Sequence, residues 1–112
     1  AECHRPFTEK WKKTRHAGSF GSLERTGKSK DPECVKCHST GYGEEGGFYS
    51  LSSTPGLSGV QCEACHGPGR EHAMDYNSLM RPVSEQVCLS CHTVENSPDF
   101  NFNSYYEKIR HN

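Results

Sequence analysis

The sequence has little from which to build an ordinary core. Its 112 residues include five Leu, one Ile, five Val and five Phe, 14% of the chain, below the level of about 20% that a self-sufficient globular domain needs. Mean hydropathy is -0.89, and no apolar run approaches the roughly 18 residues that would span a membrane. Net charge is also nearly absent, at -1 from 13 Lys and Arg against 14 Asp and Glu, which excludes disorder driven by charge repulsion. No nucleic-acid partner is read from it. The length fits one domain over residues 1–112, with no internal boundary. Such a chain must be organised around something other than its own side chains.

Cysteine and histidine supply what the aliphatics do not. Seven Cys exclude a simple disulfide set, because the number is odd and six of them form three Cys-x-x-Cys pairs, each followed at once by His. The repeats are Cys34-Val-Lys-Cys37-His38, Cys62-Glu-Ala-Cys65-His66 and Cys88-Leu-Ser-Cys91-His92. Each reads as a c-type haem attachment site, with two thiols for the two vinyl groups and the adjacent histidine as proximal iron ligand. Zinc is the rival, but a closed zinc site wants four Cys or His ligands and has no need for His after every second Cys. Thioredoxin-type redox motifs would sit in a βαβ pattern, and none surrounds these.

A fourth half-motif opens the chain at Ala1-Glu2-Cys3-His4. One Cys before Ala1 would complete it, so the expectation is a fourth haem on Cys3 and His4; the bland alternative is a free or intermolecular thiol beside a surface histidine. Proximal ligands His4, His38, His66 and His92 leave His16, His72 and His111 for the distal side. Four bis-histidine irons need two histidines each, and the chain has seven. One iron is therefore expected to be five-coordinate, or to take Met74, Met80, an amine, water or a histidine outside the recorded sequence. The proximal histidines lie 34, 28 and 26 residues apart, too close for each haem to be wrapped separately. The haems are expected nearly in contact, forming the apolar body that the side chains lack, and the haem-free polypeptide is expected to be unfolded.

Local signals place each motif on a short helix: Asp31-Pro32 ahead of Cys34, and Ser84-Glu85 ahead of Cys88. Ser104 to Glu107 reads as a capping box for a last helix towards His111, and Glu9 to Arg15 as a helix ending near His16. Residues 41 to 59, with six Gly, four Ser and Pro55, read as a long loop with a short strand at Phe48 to Leu51. It covers haem surface or, as the sharper alternative, acts as a lid. The ten aromatic residues from Trp11 to Tyr106 are expected on porphyrin faces and edges. Charge is uneven: residues 1–36 carry +4 and residues 37–112 carry -5. Lys10, Lys12, Lys13 and Arg15 either steer an acidic redox partner or another copy of the chain, or neutralise haem propionates.

These segments resemble the multihaem cytochromes related to the tetrahaem cytochrome c-554 of nitrifying bacteria, over nearly the whole chain except the Gly/Ser loop. His4 with Trp11, Thr14, His16 and Ala17 is similar to that family's opening, with Thr14 replacing the usual Ser and Thr8 standing where Tyr is common. Cys37-His38-Ser39-Thr40-Gly41-Tyr42 is similar to its second segment. Gly59 through Gly69 followed by His72 is the most specific likeness, and the ending from Cys91-His92-Thr93 through Ser97-Pro98 and Phe100 to His111 also fits. The resemblance implies three bis-histidine haems and one five-coordinate haem. It further implies that His72 serves the haem on His4, His16 the haem on His66 and His111 the haem on His92, with the haem on His38 open.

The fold class expected is mainly α with much irregular structure, short helices surrounding closely packed haems. The function expected is electron transfer, as a shuttle, a unit of a larger redox assembly or a repeating unit of a haem wire, with redox proteins and other copies of the chain as partners. An enzyme that reduces a small nitrogen oxide at the open haem is the alternative, although no separate catalytic acid or base stands out. Covalent haem is attached outside the cytoplasm, so a periplasmic or extracellular location is expected; no signal peptide is visible, as in a mature or trimmed chain.

Overall fold

A computed structural model describes residues 3–111. Its helices are α1 (Arg5–Lys12), α2 (Ser19–Arg25), α3 (Pro32–His38), α4 (Cys62–His66), α5 (Arg70–Met74), α6 (Glu85–Leu89) and α7 (Phe102–Ile109), with a 3-10 turn at Pro55–Leu57. Among the described residues β-structure is confined to one antiparallel bridge, Ser39 to Ser58. The architecture is therefore mostly helical and irregular, as the sequence predicts. None of these helices is long and apolar enough to cross a membrane. All are shorter than the about 12–15 residues at which an isolated helix becomes even marginally stable, so tertiary contacts must hold them.

Local chemistry explains where most of them begin. Asp31 caps α3 by accepting a hydrogen bond from the Glu33 N–H at 3.0 Å, and Pro32 occupies the first turn. Ser84 sits at the cap position of α6, without a side-chain hydrogen bond to it. Two helices start earlier than expected. α1 begins at Arg5 because Pro6 suits a first turn, and it ends at Lys12, where the Thr14 N–H and hydroxyl both donate to the Trp11 carbonyl. α7 begins at Phe102: Asn101, not Ser104, is the cap, and its side chain accepts from the Ser104 N–H at 3.1 Å. Nothing local announces α2, which follows Gly18, contains Gly21 and lacks a side-chain cap; it forms because Phe20 and Leu23 find a place to be buried.

That place is small. Phe20 and Leu23 of α2, Val35 of α3 and Phe48 of the Gly/Ser loop form the buried apolar cluster, with Cys34, Tyr42 and Leu57 packed around it. The Phe20 and Phe48 rings meet at 5.1 Å, tilted by 51°, so these two aromatics pack on each other.

The expected strand at Phe48 to Leu51 does not form. The Tyr49 and Ser50 N–H groups both donate to Thr54 Oγ1, at 2.8 and 3.1 Å, so donors that a ladder would need go to a side chain. The loop is instead folded down on the end of α3. Thr40 donates from its N–H to the Leu57 carbonyl, receives the Phe48 N–H on its own carbonyl, donates from its hydroxyl to the Gly59 carbonyl and accepts from the Gln61 N–H. Both buried polar residues, Ser39 and Thr40, are thus bonded, as buried hydroxyls must be. Thr40 ties the end of α3 to the approach to α4.

Candidate functional site

Each Cys-x-x-Cys-His motif occupies a helical turn. α3 contains Cys34, Cys37 and His38 in its last two turns, and α4 is the motif Cys62–His66 itself. In the last motif α6 ends at Leu89, yet the His92 N–H still donates to the Cys88 carbonyl at 2.9 Å, which continues the turn. Spacings of three and four residues put both thiols and the imidazole on one face of such a turn. Cys3 is exposed and His4 occupies the cap position of α1; Ala1 and Glu2, the spacer expected in the first motif, lie outside the described residues.

The histidines come together in pairs. Ring centroids are 6.2 Å apart for His4 and His72, 6.3 Å for His16 and His92, and 6.2 Å for His66 and His111. His38 faces no second histidine ring among the described residues. His72 is thus beside His4. The other two pairings differ: His16 stands by His92 and not His66, and His111 by His66 and not His92. Chain order does not fix this, because the segment bearing His16 is held through contacts far along the sequence: the Val60 N–H donates to the His16 carbonyl at 2.9 Å and Trp11 Nε1–H to the Val60 carbonyl at 2.7 Å. Of the alternative ligands, Met74 is exposed, and the Met80 thioether lies over Gly69.

One ring of each pair is anchored through Nδ1. His72 Nδ1–H donates to the Ser78 carbonyl at 2.9 Å, His111 Nδ1–H to the Ile109 carbonyl at 3.2 Å, and His92 Nδ1 bonds Ser97 Oγ at 2.9 Å. His38 has the shortest such bond, from Nδ1–H to the Ser19 carbonyl at 2.7 Å, with Ser22 Oγ at 3.3 Å. Committing Nδ1 leaves the Nε2 lone pair for a metal and fixes the ring plane. Burial, and secondly the neighbouring His92, pushes the His16 pKa down, and burial does the same to His92; the neutral ring they favour is the form that binds iron.

The motifs also converge. Burial and the adjacent Cys91 thiol push Cys37 up to about 11. Cys65 is raised by burial and then by Cys88 and Cys91. The second, third and fourth motifs therefore share one neighbourhood. Phe100 stacks on the His92 ring at 4.8 Å, and Tyr105 meets it edge-on at 5.5 Å. Arg81 clamps the end of α4, donating through Nε and Nη2 to the Cys65 carbonyl and through Nη2 to that of Ala64.

The donor set fits haem iron. Two metal–imidazole bonds of about 2.0 Å, each with about 1.1 Å from nitrogen to ring centre, separate two ring centres by about 6.2 Å. That is the spacing of all three pairs. By contrast, no three of the described His, Cys, Asp and Glu residues converge as a metal-ion site, which a closed zinc site would require.

The cytochrome c554 and c-prime family profile matches residues 1–67, and a doubled CXXCH motif profile matches residues 54–98. The chain belongs to the cytochrome c554 family. Cytochrome c-554 of Nitrosomonas europaea is 36% identical over 91 residues, covering 68% of this chain. The match spans only 39% of that relative's length. The solved structure of reduced cytochrome c554 from the same organism superposes with a TM-score of 0.77 at 26% identity, over 96% of this chain and 78% of that one. Membership establishes covalently bound haem c and a haem-cored fold.

One residue absent from the sequence reading emerges here. Phe7 stacks on His4 at 5.9 Å and 13°, and also meets His111 at 5.4 Å. Its position three residues after His4, on the same face of α1, was the available signal.

Proposed function

We propose that the chain carries four c-type haems and passes electrons along them. The thiols are Cys3, then the pairs Cys34 and Cys37, Cys62 and Cys65, and Cys88 and Cys91. The iron ligands are His4 with His72, His66 with His111, His92 with His16, and His38 alone. The observation that carries this reading is the set of three imidazole pairs at 6.2–6.3 Å with one histidine left over. When bound, haem c supplies one-electron ferric–ferrous chemistry.

What the chain contributes is order and rigidity. Phe7 touches both His4 and His111, Cys65 neighbours Cys88 and Cys91, and Cys91 neighbours Cys37. The sites therefore run from His4/His72 through His66/His111 and His92/His16 to His38, an order different from that of the sequence. Paired, anchored imidazoles hold iron with the same ligands in both oxidation states, so little must move when an electron passes. Lys10, Lys12, Lys13 and Arg15 lie in or beside α1 near the first site, and form a docking surface for an acidic redox protein or the acidic part of another copy. Export to the periplasm or cell exterior follows from covalent haem attachment.

The test is intact mass together with carbon monoxide binding. Four haems and about one carbon monoxide per chain are expected; three haems would remove the His4 site, and no carbon monoxide binding would remove the open one. A second reading is favoured by the solitary His38: reduction of a small nitrogen oxide there. Reduced protein that nitric oxide, nitrite or hydroxylamine oxidises no faster than free haem would leave electron transfer alone.

A further inference from the structure

We infer that Phe7 is a positioning residue that joins α1 to the segment after α7 and keeps His111 on the iron it shares with His66. The inference rests on the ligand pairs proposed above. His111 is poorly secured by its own surroundings. α7 ends at Ile109, Arg110 is extended at φ -60°, ψ 144°, and among the described residues the only hydrogen bond to the ring is the 3.2 Å contact to the Ile109 carbonyl, two residues earlier in the chain. A bond to so near a neighbour orients the ring without tying it to the rest of the protein. Among the described residues the aromatic contacts of His111 are His66, at 6.2 Å, and Phe7, at 5.4 Å and 52°. The 6.2 Å separation matches that of two imidazoles sharing one metal. Phe7 is therefore the ring that packs His111 directly against another element.

Phe7 is itself well placed to bear this load. It lies in the second half-turn of α1, whose start is fixed by Pro6 and by the Thr8 N–H and hydroxyl bonds to the His4 carbonyl at 3.0 and 3.2 Å. The same ring lies almost parallel to that of His4, at 5.9 Å. One benzyl group thus sets the distance between a ligand of the His4 site and a ligand of the His66 site, with Phe7 and His111 themselves 104 positions apart. Removing it leaves His111, beyond the end of α7, without a packed ring beside it, and a ligand that loses its packing spends a larger share of time off the metal. Ligation at His66 then depends on α1, although no residue of α1 touches the His66 motif in sequence.

The experiment compares Phe7→Ala, Phe7→Leu, Phe7→Tyr and His111→Ala as holoproteins, by the ferric high-spin signal in electron paramagnetic resonance and by carbon monoxide bound per chain. His111→Ala is expected to raise both about twofold, from one open iron to two. Phe7→Ala is expected to move most of the way to that value, Phe7→Leu part of the way, and Phe7→Tyr to stay at the parent value because it keeps the ring. If Phe7→Ala fails to mature, Phe7→Leu against Phe7→Tyr makes the same comparison. Should His111→Ala leave both readouts unchanged, the ligand pairing is wrong. Should His111→Ala open a second iron while Phe7→Ala and Phe7→Leu match the parent, the pairing stands and the role given to Phe7 is overturned.

Discussion

Phe48 and Tyr49 are neighbours with opposite surroundings, 4% and 80% exposed, and replacing each by Ala measures how much of the fold depends on the small apolar cluster. A buried phenylalanine removes on the order of 150–250 Å² from water. At about 25 cal/mol per Å² this is about 4–6 kcal/mol, an upper bound because the unfolded chain already hides part of that surface. Phe→Ala in well-packed cores costs about 3–5 kcal/mol. The lower end applies here, since Phe48 sits on a loop that can settle into the space. About 3 kcal/mol corresponds to a roughly hundredfold increase in local opening. Hydrogen exchange of α2 and α3 amides in the holoprotein reads it directly. Tyr49→Ala should change the same amides by no more than about twofold, as for surface substitutions. Because the Ser19 carbonyl that anchors His38 belongs to α2, Phe48→Ala should also alter carbon monoxide binding at the His38 iron. Equal exchange in the two variants, or protection unchanged in both, would refute the claim that this cluster holds α2 on α3.

Two further substitutions probe the segment that carries His16. Gly59 has φ +80°, and a Cβ there would lie 2.9 Å from the Ala17 carbonyl oxygen and 3.3 Å from that of His16. Gly59→Ala combines a left-handed backbone, costing about 1–2 kcal/mol, with pressure on the His16 backbone; a new high-spin ferric signal is expected, and an unchanged spectrum with unchanged stability would contradict it. Trp11→Phe keeps an aromatic ring but removes the Nε1–H donated to the Val60 carbonyl. Losing a part-buried hydrogen bond at about 1–3 kcal/mol should lower the holoprotein's Tm by at least about 4 °C, whereas no shift would mean that water replaces the indole without cost.

The motifs and their helical turns are legible in the sequence, because thiol and imidazole spacing is local chemistry. So is the Asp31-Pro32 start of α3. The start of α7 was misplaced because Asn101 and Ser104 are both good cap residues three positions apart, and only the fold decides which side chain faces a free N–H. α2 was invisible for a different reason: SFGSLER has a central glycine and no cap, and its stability comes from Phe20 and Leu23 packing on Val35 and Phe48. The exchange of partners between His16 and His111 has the same origin. Which imidazole rings come together depends on contacts such as those of Val60, Trp11 and Phe7, between residues far apart in the chain, that no local pattern records.

The central claim is that seven histidines form three pairs around iron and leave His38 alone. Mössbauer spectroscopy of the fully ferric holoprotein counts this directly. The structure predicts low-spin and high-spin iron in a ratio of about three to one. Uniformly low-spin iron would contradict it by requiring another strong ligand at His38, and two or more high-spin irons would contradict it by breaking at least one of the pairs His4/His72, His16/His92 and His66/His111.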